Sequence, residues 1–300
     1  MKYTKYIDEH IKSFDGKIVV ITGANSGIGF TLAKQILYKG GHVVMACRSI
    51  ERAEKAKASL LEEFPNGAVD ILQYDQSSLE SIEAFASELQ KKYPSIYGFV
   101  FNAGIYHPKK GLKSDLGVPI TFATNYLGAY YLTRLLKDYF KNNCERVLYV
   151  TSLAQAVGKY KDIKKTVDKH PDGTKAYNVS KRCDISLAVK LNNEIGESTK
   201  IVLSHPGITR TNILAAKTTS FAHWFTKIAN AWTTIFTNKT EKSSLTSLRA
   251  LSDDNDNLDM YCPRGFLHVI GYPKIKKITP DKYASDSLYQ YSNYLIASKH

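Results

Sequence analysis

Long apolar runs are missing from the 300 residues: none approaches the roughly 20 residues that a membrane-spanning helix needs. The first stretch, MKYTKYIDEHIKSFDG, has no apolar centre of the kind a secretory signal requires. Both absences set a cytoplasmic location as the expectation. Cysteine is scarce as well. Cys47, Cys144, Cys183 and Cys262 form no CxxC pair and show no zinc spacing, so free thiols are expected, with no disulfide frame and no metal site. No internal repeat, low-complexity linker or break in composition marks a second domain, and 1–300 is read as one domain. Acidic residues are outnumbered, 28 against 41 Lys and Arg, for a net charge of +13. The lysines are spread along the whole chain and no nucleic-acid motif accompanies them, so specific nucleic-acid binding is not expected. A positive field of this kind suits an anionic cofactor.

A composition 43% hydrophobic and 23% charged describes a soluble globular chain with one sizeable core. Short apolar, β-branched runs alternate with longer amphipathic stretches. Strands are expected at 17–22, 42–47, 69–74, 97–101, 146–151, 201–205 and 265–270. Helices are expected between them at 28–38, 50–63, 79–91, 120–141, 176–194 and 245–251. The pattern predicts an α/β fold of the Rossmann type, a doubly wound parallel sheet of about seven strands with helices on both faces. Residues 1–15 read as an N-terminal extension. Two segments, 154–175 and 211–240, depart from the alternation.

The first strand runs into TGANSGIG, Thr22 to Gly29, directly before an amphipathic helix. A glycine-rich turn at this junction lets backbone approach a pyrophosphate and aims the helix N–H groups at its charge. Gly23, Asn25, Ser26, Gly27, Ile28 and Gly29 are the candidates. The second strand ends in VVMACRS, with Arg48 where an acid would accept the ribose hydroxyls of NAD(H). An arginine there favours the 2′-phosphate of NADP(H), and Arg52 one turn later can share the role.

With these residues in view the chain resembles the short-chain dehydrogenase/reductase family, in the branch that includes retinol dehydrogenases and protochlorophyllide reductases. The resemblance runs from Thr22 to Thr211, and the stretch from Gly265 to Ile270 looks like the family's last strand. YDQSS resembles the family's third-strand end, which implies that Asp75 holds the adenine amino group with Gln76 beside it. FNAG is similar to the family's NNAG with Phe101 in place of its first asparagine, so Asn102, Ala103 and Gly104 carry over to the cofactor side. TNYLGAYYLT makes Asn125 the counterpart of a catalytic asparagine that keeps its helix open around an ordered water. HPGITRT supplies Pro206, Gly207, Ile208 and Thr211 as the segment that closes over the nicotinamide. Relatives also often pair through the helices that carry Asn125 and Tyr177, so a homo-oligomer is open.

The chemistry follows from residue types. AYNVSK places Tyr177 and Lys181 four positions apart, on one face of a helix. Reducing a carbonyl needs a hydride from a nicotinamide and a proton for the developing alkoxide, which Tyr177 can supply. A neighbouring cation such as Lys181 stabilises its phenolate. Ser152, in YVTSLAQ, can hold the substrate oxygen at the tyrosine. Ser180 reads as packing or capping. NADP(H)-dependent interconversion of a hydroxyl and a carbonyl is the favoured function; a C=C reductase and a cofactor sensor without turnover are the alternatives. The segment 154–175 is expected beside the substrate mouth. Phe221, Trp224, Phe225, Ile228, Trp232, Ile235 and Phe236 stand at roughly helical spacing. The stripe they form suits a lid over an apolar substrate, a subunit interface or a membrane-surface contact.

Overall fold

The computed structural model describes residues 3–106, 108–170, 173–207, 240–254, 256–265 and 271–299, to which all that follows refers. β1 (Ile18–Thr22), β2 (His42–Cys47), β3 (Val69–Gln73), β4 (Ile96–Phe101), β5 (Cys144–Val150), β6 (Lys200–Ser204) and β7 (Met260–Pro263) are joined in parallel. β8 (Pro273–Lys276) closes the edge antiparallel to β7, giving eight strands in the order β3-β2-β1-β4-β5-β6-β7-β8. The central strands are apolar throughout because both faces are covered. One face carries Phe99, Phe101, Tyr149 and Phe140. The other carries Val19, Ile21, Leu32 and Leu248.

The chain winds outward from β1 through β2 to β3 and then returns to lay β4 on the other side of β1. The helices diverge at that reversal and leave a crevice beyond the carboxyl ends of β1 and β4. Three helices line up with the expected windings: α2 (Gly27–Tyr38), α3 (Ile50–Glu63) and α4 (Leu79–Lys92). Ser49 and Ser78 cap α3 and α4 by accepting from the N–H groups of Arg52 and Ser81. α1 (Thr4–His10) was not foreseen. It lies within the expected extension and buries Ile7, while Ile11 and Phe14 follow it into the core.

The helix expected over 120–141 is divided. A turn at Ile120–Phe122 runs into a π-helical turn at Ala123–Leu127, then into α5 (Gly128–Leu135), and Leu136 separates this from α6 (Lys137–Asn143). The segment 154–175 also carries structure: a 3-10 turn at Leu153–Val157 and α7 (Ile163–Lys169), which Asp162 caps and which buries Ile163 and Val167. α8 (Gly173–Ile195) then carries the Tyr177 motif. α9 (Leu245–Ser252) and α10 (Asp286–Ala297) complete the chain. No helix among the described residues is long and apolar enough to cross a membrane.

The last parallel strand is Met260–Pro263, ahead of the expected 265–270; Gly265 lies in a bend and 266–270 fall outside the described residues. Pro263 pairs with Pro273 at the end of the β7–β8 ladder, where neither ring has an N–H to offer. α10 packs on the outer side of α5. Its Ser292 hydroxyl meets that of Tyr126 at 3.0 Å, and Asn293 Oδ1 accepts from Tyr130 at 2.8 Å and from Arg134 at 2.7 Å.

At Gly128 an added Cβ would collide with the carbonyl oxygen of Gln76, a backbone atom. Gly128→Ala is expected to destabilise the fold by about 1–3 kcal/mol. A lowered urea midpoint checks it; an unchanged midpoint would show that the β3–α4 loop yields freely.

Candidate active site

The β1–α2 turn is locked to the end of β4. Thr22 Oγ1 accepts from the backbone N–H groups of Asn102 at 3.0 Å and Ala103 at 2.9 Å. The Asn102 side chain donates to Thr22 O at 2.9 Å and to Gly23 O at 3.5 Å. Gly23 has φ +68° and Gly27 has φ +58°, in the region that favours glycine. At Gly29 an added Cβ would stand 2.5 Å from Gly23 O and 2.6 Å from Asn102 Nδ2. Three sequence features thus form one cradle, and Ser26, the residue before α2, makes no side-chain cap to its N–H groups. An open helix N-terminus with glycine backbone around it fits a pyrophosphate.

A cleft of about 320 Å³ opens here, lined by Gly23, Asn25, Ser26, Gly27 and Ile28 at one side and by Tyr177, Lys181 and Pro206 at the other. Arg48, Ser49, Arg52, Asp75 and Gln76 line its far end, and Asn102, Ala103 and Gly104 its floor. Arg48 is 67% exposed, and its Nε lies 3.9 Å from Asp75 Oδ2. Asp75 is oriented by Ser77, whose N–H donates to it at 2.9 Å and whose hydroxyl does so at 2.6 Å. Two guanidinium groups and the capping hydroxyl of Ser49 at the start of α3 make this end a fit for a phosphate ester. Gln76 is buried, and its Nε2 donates to Thr124 O.

Asn125 sits in the π turn, buried and fully occupied. Its Oδ1 accepts from Ile105 N at 2.7 Å, while its Nδ2 donates to Ile105 O at 3.0 Å and to Ser180 Oγ at 3.0 Å. Ser180 in turn donates to Tyr177 O at 2.8 Å. A chain of hydrogen bonds therefore ties the segment after β4 to the turn of α8 that carries Tyr177. Ser180, read in sequence as local packing, is the middle of this bracket.

Lys181 is buried. Its Nζ donates to Val150 O at 3.1 Å and to Asp184 Oδ2 at 2.9 Å, and its carbonyl accepts from Thr151 Oγ1 at 2.7 Å. Burial alone would depress the ammonium, but the charges of Asp184 and Tyr177 turn the net shift upward. Tyr177 meets the ring of Tyr106 edge-on, with centroids 4.8 Å apart.

Ser152, expected to hold the substrate oxygen, stands just after β5 at the start of the 3-10 turn. Its Oγ accepts from Ala154 N at 3.3 Å and caps the 3-10 turn, and Ser152 does not line the cleft. The turn it starts packs against α8, the helix that carries Tyr177 and Lys181. Asn125, Gly29 and Gly207 likewise lie behind the lining. Ile208, Thr211 and the 221–236 stripe lie outside the described residues. Thr124, Ile105 and Thr151 line the cleft and were not singled out in the sequence. Gly158 was missed as well: a Cβ there would strike Asn178 O, so it is what lets the turn after Ser152 seat on α8.

Comparison with known proteins agrees with this geometry. The family described as short chain dehydrogenase matches residues 17–220. The WW domain-containing oxidoreductase of Gallus gallus is 34% identical over 208 residues, 65% of this chain and 50% of that protein. Retinol dehydrogenase 14 of Mus musculus is 31% identical over 210 residues, 66% of this chain and 63% of that protein. The match thus spans half to just under two thirds of the length of these curated relatives. An uncharacterized protein from Mycobacterium paratuberculosis has the same fold, with a TM-score of 0.74, 23% identity and 95% of both chains covered.

Gly29→Ala is expected to leave the fold intact and to weaken dinucleotide binding by about tenfold or more, because the new methyl separates Gly23 from Asn102. Titration calorimetry checks this; undiminished affinity would mean that the cradle does not hold the pyrophosphate.

Proposed function

The chain belongs to the short-chain dehydrogenase family, in the retinol dehydrogenase branch, and on that premise we propose an NADP(H)-dependent oxidoreductase that interconverts a hydroxyl and a carbonyl. The observation that carries the reading is that the glycine turn, Arg48, Tyr177 and Lys181 line one continuous cleft. Non-catalytic binding would not require a tyrosine and a lysine at the end opposite the phosphate cradle.

NADP(H), when bound, supplies or accepts the hydride. The chain's part is to hold it, to exclude water and to move a proton. Gly23, Gly27 and the start of α2 would hold the pyrophosphate, and Arg48 and Arg52 would take the 2′-phosphate. Asp75, fixed by Ser77, would accept from the adenine amino group. The hydroxyl of Tyr177 gives its proton to the alkoxide oxygen during reduction and takes it back during oxidation. Lys181, a cation one turn along α8, steadies the phenolate left behind. Ser152 holds the substrate oxygen once its hydroxyl turns from the 3-10 turn toward the cleft. The bracket through Asn125 and Ser180 fixes where the Tyr177 backbone sits, and the edge of Tyr106 limits how its ring can turn.

An apolar alcohol or carbonyl is the proposed substrate class. The name of retinol dehydrogenase 14 describes action on such an alcohol, and the ring of Tyr106 stands edge-on to that of Tyr177. A charged, small carbonyl turned over at the highest rate would overturn this choice.

Two results are expected. Tyr177→Phe keeps the ring contact with Tyr106 and removes the proton, so turnover of NADPH over a panel of apolar ketones, aldehydes and quinones should fall about 100-fold or more. Tight binding without turnover in the unaltered protein would identify a sensor. Arg48→Ala removes a charged partner of the 2′-phosphate and should weaken NADPH about tenfold while leaving NADH within about twofold. Equal losses for both nucleotides in calorimetry would contradict the placement of the phosphate.

A further inference from the structure

We infer that Asp184 is a positioning residue that acts through Lys181 as its buried counter-ion, and so sets the pH range over which Tyr177 keeps its proton. The inference rests on the roles proposed above for Tyr177 and Lys181, and nothing in that mechanism uses Asp184. The two charged side chains lie three positions apart on α8, each 7% exposed, with Nζ 2.9 Å from Oδ2. Lys181 has other anchors: its Nζ also donates to Val150 O, and its carbonyl accepts from Thr151. An asparagine amide at 184 would accept the same hydrogen bond without the desolvation that a buried carboxylate incurs. What the carboxylate adds over the amide is its charge.

The direction of the effect follows from electrostatics. A lone lysine beside Tyr177 favours the phenolate. A neutral Lys181–Asp184 pair exerts a weaker field at the tyrosine, which then holds its proton to higher pH. That condition suits proton donation, the reductive direction. Burial raises the Asp184 carboxyl to about 6 against the opposite pull of Lys181, so above neutrality it stands as the anion. The other ionisable groups around the pair are Tyr177 and Cys183 on α8 and Tyr149 on β5. Burial first, and the Asp184 charge after it, push both the Cys183 thiol and the Tyr149 phenol up. Both therefore stay neutral through the range in question. From the π turn the pair is approached by Asn125, which is uncharged, across Gly104.

The test needs no substrate. Tyrosine labelled with ¹³C at Cζ reports each phenol by NMR, and the resonance missing from Tyr177→Phe identifies Tyr177. In Asp184→Asn the Tyr177 titration midpoint should move down by about one pH unit, the order expected for removing one charge about two helical turns, about 10 Å, away at an effective dielectric near 20. Asp184→Glu, which restores the carboxylate, should move it back toward the unaltered protein. If Asp184→Asn does not fold, Asp184→Ser carries the same expectation. An unchanged or raised midpoint in the folded variant overturns the inference. Because the titration is read without turnover, it can fail while Tyr177→Phe still abolishes activity, and the two readings are distinguished.

Discussion

The site depends on how closely α2 approaches the ends of β1 and β4. Gly29 lies so near Gly23 O and Asn102 Nδ2 that no side chain fits between them. Thr22 and Asn102 close the gap with hydrogen bonds from both strands. The consequence is a rigid ring of backbone at the point where the sheet reverses its strand order, with the N–H groups at the start of α2 facing outward. A doubly wound sheet opens a crevice at this point in any sequence. Gly23, Gly27 and Gly29 keep side chains out of that crevice directly over the strand ends, which leaves room for an anion.

The Tyr177 end of the cleft is tied to that cradle by a second set of contacts. Asn125 clamps the backbone of Ile105 just beyond β4 and passes a hydrogen bond to Ser180, which holds the Tyr177 carbonyl. Thr151, at the end of β5, holds the Lys181 carbonyl. Tyr177 and Lys181 are thereby set relative to β4 and β5, the strands that also carry the floor of the cleft. Asn125, Thr151, Ser180 and Lys181 are buried and paired, the condition under which polar groups rigidify a core instead of weakening it. Phe101 does not disturb it. Its ring is buried in the apolar cluster, stacked on Tyr149 at 4.7 Å beside Phe99 and Phe140.

Much of this was legible in the chain. Runs such as IVVIT and HVVMAC can only be buried strands, and α3 has the bounds its apolar spacing implies because Ser49 caps it in the expected place. What escaped depends on contacts between distant segments. The π turn at Ala123–Leu127 has no periodicity of its own; it forms where Asn125 reaches Ile105, 20 positions earlier in sequence. Gly128 and Gly158 read as ordinary residues until Gln76 and Asn178 are brought against them. Ser152 was legible as a hydroxyl at a strand end, and there its Oγ accepts from the N–H of Ala154. Asp184 looks like a polar residue on a long helix until α8 is laid on the sheet with that side inward.

The central claim is that one cleft receives the phosphates at the glycine turn and the nicotinamide at Tyr177. Diffraction from crystals grown with NADPH measures this most directly. The account predicts the 2′-phosphate at Arg48 and Arg52, the pyrophosphate over Gly27, and the nicotinamide ring against Tyr177 and Lys181. Adenine found at the Tyr177 end, or a nucleotide held elsewhere on the molecule, would contradict it.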